Sequence, residues 1–280
     1  MTEGNREQDS LSDEFDSQLR EAMALVPRPG ARIGGYQLLD RIGQGGQGEV
    51  WTARHPTLPG AIHALKLIPR TKALESDDAV DRYERRMRTA ERIEHPGVAR
   101  IYGFGHDQVW IWLAQEWIAH GKSLASWIRD FDSEVKATAW SRKVARFGVQ
   151  IAAALEALHQ AGLVHRDLSP ANVLVDGERM VLIDLGFAQS VDDDLTLTSR
   201  SLPFEGTVSY ASPEKLHGRR LETPASDQIS LGAILWELAT LRRPYPGRNA
   251  IEIFRSRERR PLPPWPHHAA EVPEPLSRII

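Results

Sequence analysis

A carboxylate, an amide and a second carboxylate recur at short spacing in the middle of this 280-residue chain. They lie in Val164-His165-Arg166-Asp167-Leu168-Ser169-Pro170-Ala171-Asn172-Val173-Leu174 and, beyond it, in Ile183-Asp184-Leu185-Gly186. Such a set suits phosphoryl transfer, which needs one carboxylate to accept the proton of an attacking hydroxyl and oxygen ligands for Mg²⁺. Asp167 fits the first task, and Asn172 with Asp184 the second. Singly, each has an ordinary structural use, since Asp caps turns and Asn forms them. Jointly, in this order and with a strand pair between them, they match a known catalytic signature.

Nearer the N-terminus, Gly43-Gln44-Gly45-Gly46-Gln47-Gly48 is a G-x-G-x-x-G run. Glycines there let a turn between strands approach phosphate oxygens that a Cβ would obstruct. The pattern alone is weak, because Gly-rich hairpins and dinucleotide folds share it. Here Glu49-Val50 and a strand follow, whereas a dinucleotide fold would continue into a helix. No Gly-Lys-Ser/Thr follows, so the Walker pattern fails. Lys66, between Leu65 and Leu67 and one hairpin beyond the glycines, is within reach of phosphates held under that loop; read blandly, it is an edge lysine with its head in water.

The elements that must position these groups follow from periodicity. Short apolar runs at 36–42, 49–54, 63–68, 99–105 and 109–117 predict five antiparallel strands, with a hairpin turn at 56–60. Ala79, Val80, Tyr83, Met87, Ala90 and Ile93 have helical spacing, predicting one charged helix over 77–94. Beyond Gly121 helix signals dominate, at 123–129, 139–162 and 226–241, with a short strand pair at 173–175 and 181–183. The fold class is therefore α+β, a small sheet-rich lobe preceding a larger, mainly helical one. Residues 1–35, acidic and then rich in Pro and Gly, are expected to be a flexible arm, leaving 36–118 and 119–280 as the two lobes.

Net charge is −3, so no global basic field argues for nucleic acid, and the Arg-rich run 255–260 reads as a solvated helix face. With no cysteine, disulfides, thiolate metal sites and a Cys nucleophile are excluded; this fits a reducing cytoplasm. The most apolar stretch, 147–164, is broken by Gln150, Glu156, His159 and Gln160, so no membrane span is expected, and no basic-then-apolar leader opens the chain.

The chain resembles a protein kinase catalytic domain of the eukaryotic-like Ser/Thr type, over residues 34–280. The motifs run in the family's order: the glycine loop, Ala64-Leu65-Lys66, His95-Pro96, the hinge-like Gln115-Glu116-Trp117-Ile118, His165-Arg166-Asp167, Asp184-Leu185-Gly186, Gly206-Thr207 through Ser212-Pro213-Glu214, and Ser226-Asp227 through Gly232. Gly34-Gly35-Tyr36-Gln37-Leu38 and Ser212-Pro213-Glu214 look like bacterial members. The resemblance implies a two-lobed kinase fold and transfer of the γ-phosphoryl of ATP, with Mg²⁺, to Ser/Thr hydroxyls of a protein substrate. Gly43, Gly45 and Gly48 would cover the phosphates, and Ile42, Val50, Ala64 and Leu174 would sandwich adenine. Backbone groups of Glu116 and Ile118 would bind its edge, with Gln115 as gatekeeper. Lys66 would hold the α- and β-phosphates, Asp167 deprotonate the acceptor, Thr207 contact Asp167, and Asn172 and Asp184 bind Mg²⁺. Arg166 implies regulation by a phosphate on the activation segment, where Thr196, Thr198, Ser199 and Ser201 are candidates.

The family pattern is departed from in places. Arg86 stands where a helix Glu normally pairs with the lysine matching Lys66, and Glu84 and Glu91 lie on other faces. Ser169 replaces a phosphate-contacting lysine, Leu185 a phenylalanine and His63 a valine. The family normally continues past residue 280 with an Arg that pairs with the Glu matching Glu214, so the large lobe is expected to be incomplete and that Glu a buried, costly charge. Arg86 and the missing tail support the alternative of a pseudokinase, a nucleotide-binding interaction module.

Overall fold

Alternating apolar side chains put every second residue of the N-terminal strands on one face of an antiparallel sheet. Its strands are β1 (Arg32–Ile33), β2 (Tyr36–Gly45), β3 (Gly48–Arg54), β4 (Ile62–Pro69), β5 (Ile101–His106) and β6 (Trp110–Glu116), in the order β1-β2-β3-β4-β6-β5. The computed structural model describes residues 26–45, 48–70, 77–130, 137–185, 208–216, 223–245, 247 and 249–259. Residues 1–25 of the expected arm and the C-terminal stretch from 260 lie outside these. The described chain divides into two compact units: Met1–Glu84 with Ile101–Trp117, and Arg85–Arg100 with Ile118–Ile280.

In the first unit, each of the five expected strands is present, but the sheet has a sixth. Ile33 pairs with Tyr36 and Arg32 with Gln37 across Gly34-Gly35, whose φ values are 58° and 83°. Two successive positive φ angles make the two-residue hairpin turn that suits the strand twist, and glycine adopts them without strain. Gly34 has a second reason to be glycine. An added Cβ would lie 2.3 Å from the Trp112 ring. Ile33, Tyr36, Leu38, Trp51, Ala53, Leu65, Leu67 and Ala114 form the core on this face, with Trp110 and Trp112 packed against it. The β3–β4 hairpin closes through His55, whose Nδ1 accepts the Thr57 and Leu58 N–H groups at 3.1 and 3.0 Å.

Helix α1 (Asp77–Glu91) buries Tyr83, Met87 and Ala90, the stripe expected from its sequence. In the second unit, α2 (Leu124–Arg129) starts after Ser123, whose hydroxyl accepts the Ser126 N–H at 3.2 Å. The long α3 (Ala137–Gln160) packs on α5 (Pro224–Thr240). Trp140 Nε1 donates to Leu238 O at 3.0 Å, and a Cβ on Gly148 would sit 2.9 Å from Leu235. Between them in sequence come β8 (Val173–Asp176) and β9 (Arg179–Leu182), joined by β7 (Lys122–Ser123) into a three-stranded sheet. The one-turn α4 (Pro213–Leu216) and α6 (Ala250–Arg259) complete the unit. Among the described residues no helix is long and apolar enough to cross a membrane.

Candidate active site

Antiparallel pairing decides which side chains share a face of the first unit's sheet. Lys66 lies opposite Val50 and Leu113, Ala64 opposite Thr52 and Gln115, and Gly43 opposite Val50. Val50, Ala64, Lys66, Gln115 and Gly43 therefore gather on the face away from the Leu65/Leu67/Trp51 core. Strand β4 is flanked by β3 and β6, so Lys66 is not an edge lysine; it is 8% exposed. Ile42 sits at a register shift of β2 and is half-exposed, and Glu116 ends β6.

The three loop glycines differ. A Cβ on Gly45 would meet nothing within 4 Å, and one on Gly43 only Val50 at 3.6 Å. The backbone there is open to a ligand. At Gly48 a Cβ would lie 2.0 Å from the Leu67 carbonyl oxygen, so this glycine is also required by the close approach of the start of β3 to the backbone of β4.

In the second unit the loop at 165–172 is held from below by α5. Asp227, 1% exposed, accepts the His165 N–H at 2.8 Å on Oδ2 and the Arg166 N–H at 2.9 Å on Oδ1, and His159 Nε2 lies 2.8 Å from Oδ2. The anchorage holds Arg166 at φ 68°, a left-handed conformation that non-glycine residues seldom adopt. The chain then turns tightly, Asp167 N–H bonding to His165 O at 2.9 Å, and runs through a single 3₁₀ turn at Pro170–Asn172 into β8.

Asp167 and Asn172 meet. The Asn172 amide nitrogen donates to Asp167 O at 2.7 Å and to Asp167 Oδ2 at 3.0 Å. With its nitrogen so engaged, the amide oxygen is the atom left to serve as a cation ligand. Ile183 N–H donates to the backbone carbonyl of Asn172 at 3.0 Å, and Asp184, at φ 57°, follows directly on that bonded residue. An amide oxygen and a carboxylate fit Mg²⁺, which takes few protein ligands and completes its shell with phosphate oxygens and water. Leu174 packs with Ile118, Ala99, Val181 and Ile183. On the other oxygen of Asp167, Lys215 Nζ lies 3.4 Å from Oδ1 and donates to Arg166 O at 2.6 Å.

His165 is fully buried beneath this loop. Burial lowers its imidazole pKa, outweighing the opposite pull of Asp227, Asp167 and Asp184. The native state thus keeps this ring neutral while the unfolded chain protonates it below about 6.5. Stability should hold above that pH and fall as pH drops through it, by up to ~1.4 kcal/mol per pH unit. Denaturant midpoints at pH 7.5 and 5.5 check this: His165→Leu should lose less than the wild type.

Glu214 is half-exposed rather than buried. Partial burial acts to raise its pKa, but the hydroxyls of Ser226 and Ser212, its own backbone N–H and the charge of Arg257 hold it below the usual carboxylate value. Arg257 stacks over Tyr245 at 4.9 Å and donates to Ser209 O at 2.6 Å. The expectation of a costly uncompensated charge at Glu214 is therefore corrected: described residues supply its partners.

Thr207, Gly186 and the hydroxyls Thr196, Thr198, Ser199 and Ser201 lie outside the described residues. Two residues escaped the sequence reading as parts of the site. Asp227 stood within a recognised motif, but its partners lie 61 and 62 residues earlier. Lys215 follows Ser-Pro-Glu directly; the one available signal was that Ser169 leaves the loop short of a cation.

Comparison with known proteins adds the following. Residues 36–274 match the protein kinase domain family. The chain is 32% identical over 231 residues to the serine/threonine-protein kinase PknF of Mycobacterium tuberculosis, covering 80% of this chain and 47% of that protein. It is 32% identical over 268 residues to PknA of the same organism, covering 91% and 58%. It thus spans about half the length of these curated relatives. The crystal structure of the M. tuberculosis PknI kinase domain is similar at a TM-score of 0.62 and 27% identity, over 80% of this chain and 81% of that one.

Proposed function

The chain belongs to the protein kinase family, and from that premise we propose that it transfers the γ-phosphoryl of ATP to Ser or Thr hydroxyls of a protein substrate. The observation that carries the reading is the Asp167–Asn172 pair, 3.0 Å apart on the same loop that leads to Asp184. In this reading Asp167 receives the proton of the acceptor hydroxyl as its oxygen bonds to the γ-phosphorus and the bridging oxygen leaves with ADP. Asn172 and Asp184 would hold Mg²⁺, which would supply positive charge against the phosphates. Lys66 would hold the α- and β-phosphates, with Gly43, Gly45 and Gly48 above them. Ile42, Val50, Ala64 and Leu174 would enclose adenine, and the backbone of Glu116 and Ile118 would bind its edge. Thr207 would contact Asp167 and favour Ser/Thr acceptors. Residues 36–118 and 119–280 would form the two lobes. The lack of cysteine fits a cytoplasmic protein, testable by cell fractionation.

Incubation with γ-labelled ATP, Mg²⁺ and a generic Ser/Thr-rich protein tests the reading. Label should appear as phosphoserine or phosphothreonine and vanish with EDTA. Regulation through Arg166 further expects label on the chain itself within residues 196–201. Nucleotide binding without any transfer would replace the kinase by a nucleotide-binding module.

A further inference from the structure

We propose that Lys215 is a positioning residue for Asp167, supplying from α4 the positive charge that Ser169 does not supply from the catalytic loop. The proposal rests on the reading of Asp167 as the base. Lys215 is a lysine on a one-turn helix, yet its side chain is only 5% exposed. A buried ammonium is costly unless paired and hydrogen-bonded. It finds Arg166 O at 2.6 Å and Asp167 Oδ1 at 3.4 Å.

The geometry is two-sided. Asn172 donates to Oδ2 of Asp167 while Lys215 faces Oδ1, so the carboxylate is held at both oxygens. Lys215 also bonds the carbonyl of Arg166, whose N–H is tied to Asp227. It therefore fixes both the backbone before the carboxylate and the carboxylate itself. Ser169, 3% exposed and at the start of the 3₁₀ turn, has no charge to bring. A base must be held within hydrogen-bond reach of the proton it takes, and contacts at both oxygens fix where the Asp167 carboxylate points.

Lys215→Met should lower kcat at neutral pH at least about tenfold and leave KM for ATP nearly unchanged, since no nucleotide-holding group is altered. Lys215→Arg should keep most activity, and Ser169→Lys in the Lys215→Met background should restore part of it. Lys215→Gln serves if Lys215→Met does not fold. An unchanged kcat overturns the proposal. So does a loss of kcat that neither Lys215→Arg avoids nor Ser169→Lys restores, which would leave Lys215 a mere tie between α4 and the loop. In both cases the wild type remains active and Asp167→Asn inactive. A wild type that binds nucleotide yet transfers nothing overturns the kinase reading itself.

Discussion

Replacing Asp167 by asparagine should lower the rate of phosphoryl transfer about 10²–10⁴-fold while leaving nucleotide binding unchanged. The substitution is nearly isosteric. An asparagine oxygen can still accept from Asn172, which bonds the native side chain at 3.0 Å and the backbone carbonyl at 2.7 Å. What disappears is a group able to take the acceptor's proton. The local fold should survive, because Asp227 holds the loop through backbone N–H groups that the change does not touch. Nucleotide titration and thermal unfolding, run beside the transfer assay, separate loss of chemistry from loss of structure. A variant retaining more than about a tenth of the rate, a barrier rise below ~1.4 kcal/mol, would remove Asp167 from the base role.

The second large effect is expected at Asp227, and it should appear in stability as well as activity. Asp227→Ala strands two backbone donors, those of His165 and Arg166, in a region where the acceptor is 1% exposed. An unsatisfied buried donor costs ~1–3 kcal/mol, so the pair implies about 2–6 kcal/mol. Arg166, at φ 68°, would also lose one of the ties, beside the Lys215 bond to its carbonyl, that hold it in this sparsely populated conformation. Chemical denaturation measures the loss, and amide exchange at His165 and Arg166 should rise toward loop values. A loss below ~1 kcal/mol with both amides still protected would mean that other contacts hold the loop.

Sequence reasoning reached much of this molecule because local patterns carry much of it. The five longer strands announce themselves by alternation and by the turn residues between them. Helices α1, α2, α3 and α5 do so by their apolar stripes, with ends shifted by up to three residues where caps such as Ser123 decide the start. The sixth strand was missed because two residues cannot show a period of two; only Gly34-Gly35 signalled it. Lys66 was open to reading as an edge residue until pairing showed β4 between β3 and β6. The contacts of Asp167 with Lys215 and of His165 and Arg166 with Asp227 join residues 48 to 62 positions apart. No local pattern encodes such pairings. The requirement for glycine at position 48 was legible, but half of its cause, the Leu67 carbonyl, belongs to another strand.

The grip of Asp227 on main-chain hydrogens, rather than on side chains, separates where the catalytic segment sits from what it carries. Any amino acid other than proline offers the same N–H at positions 165 and 166. The half-buried side chain at 166 can change in charge or switching behaviour while the scaffold beneath it stays put, whereas the ring of His165 is confined by its full burial.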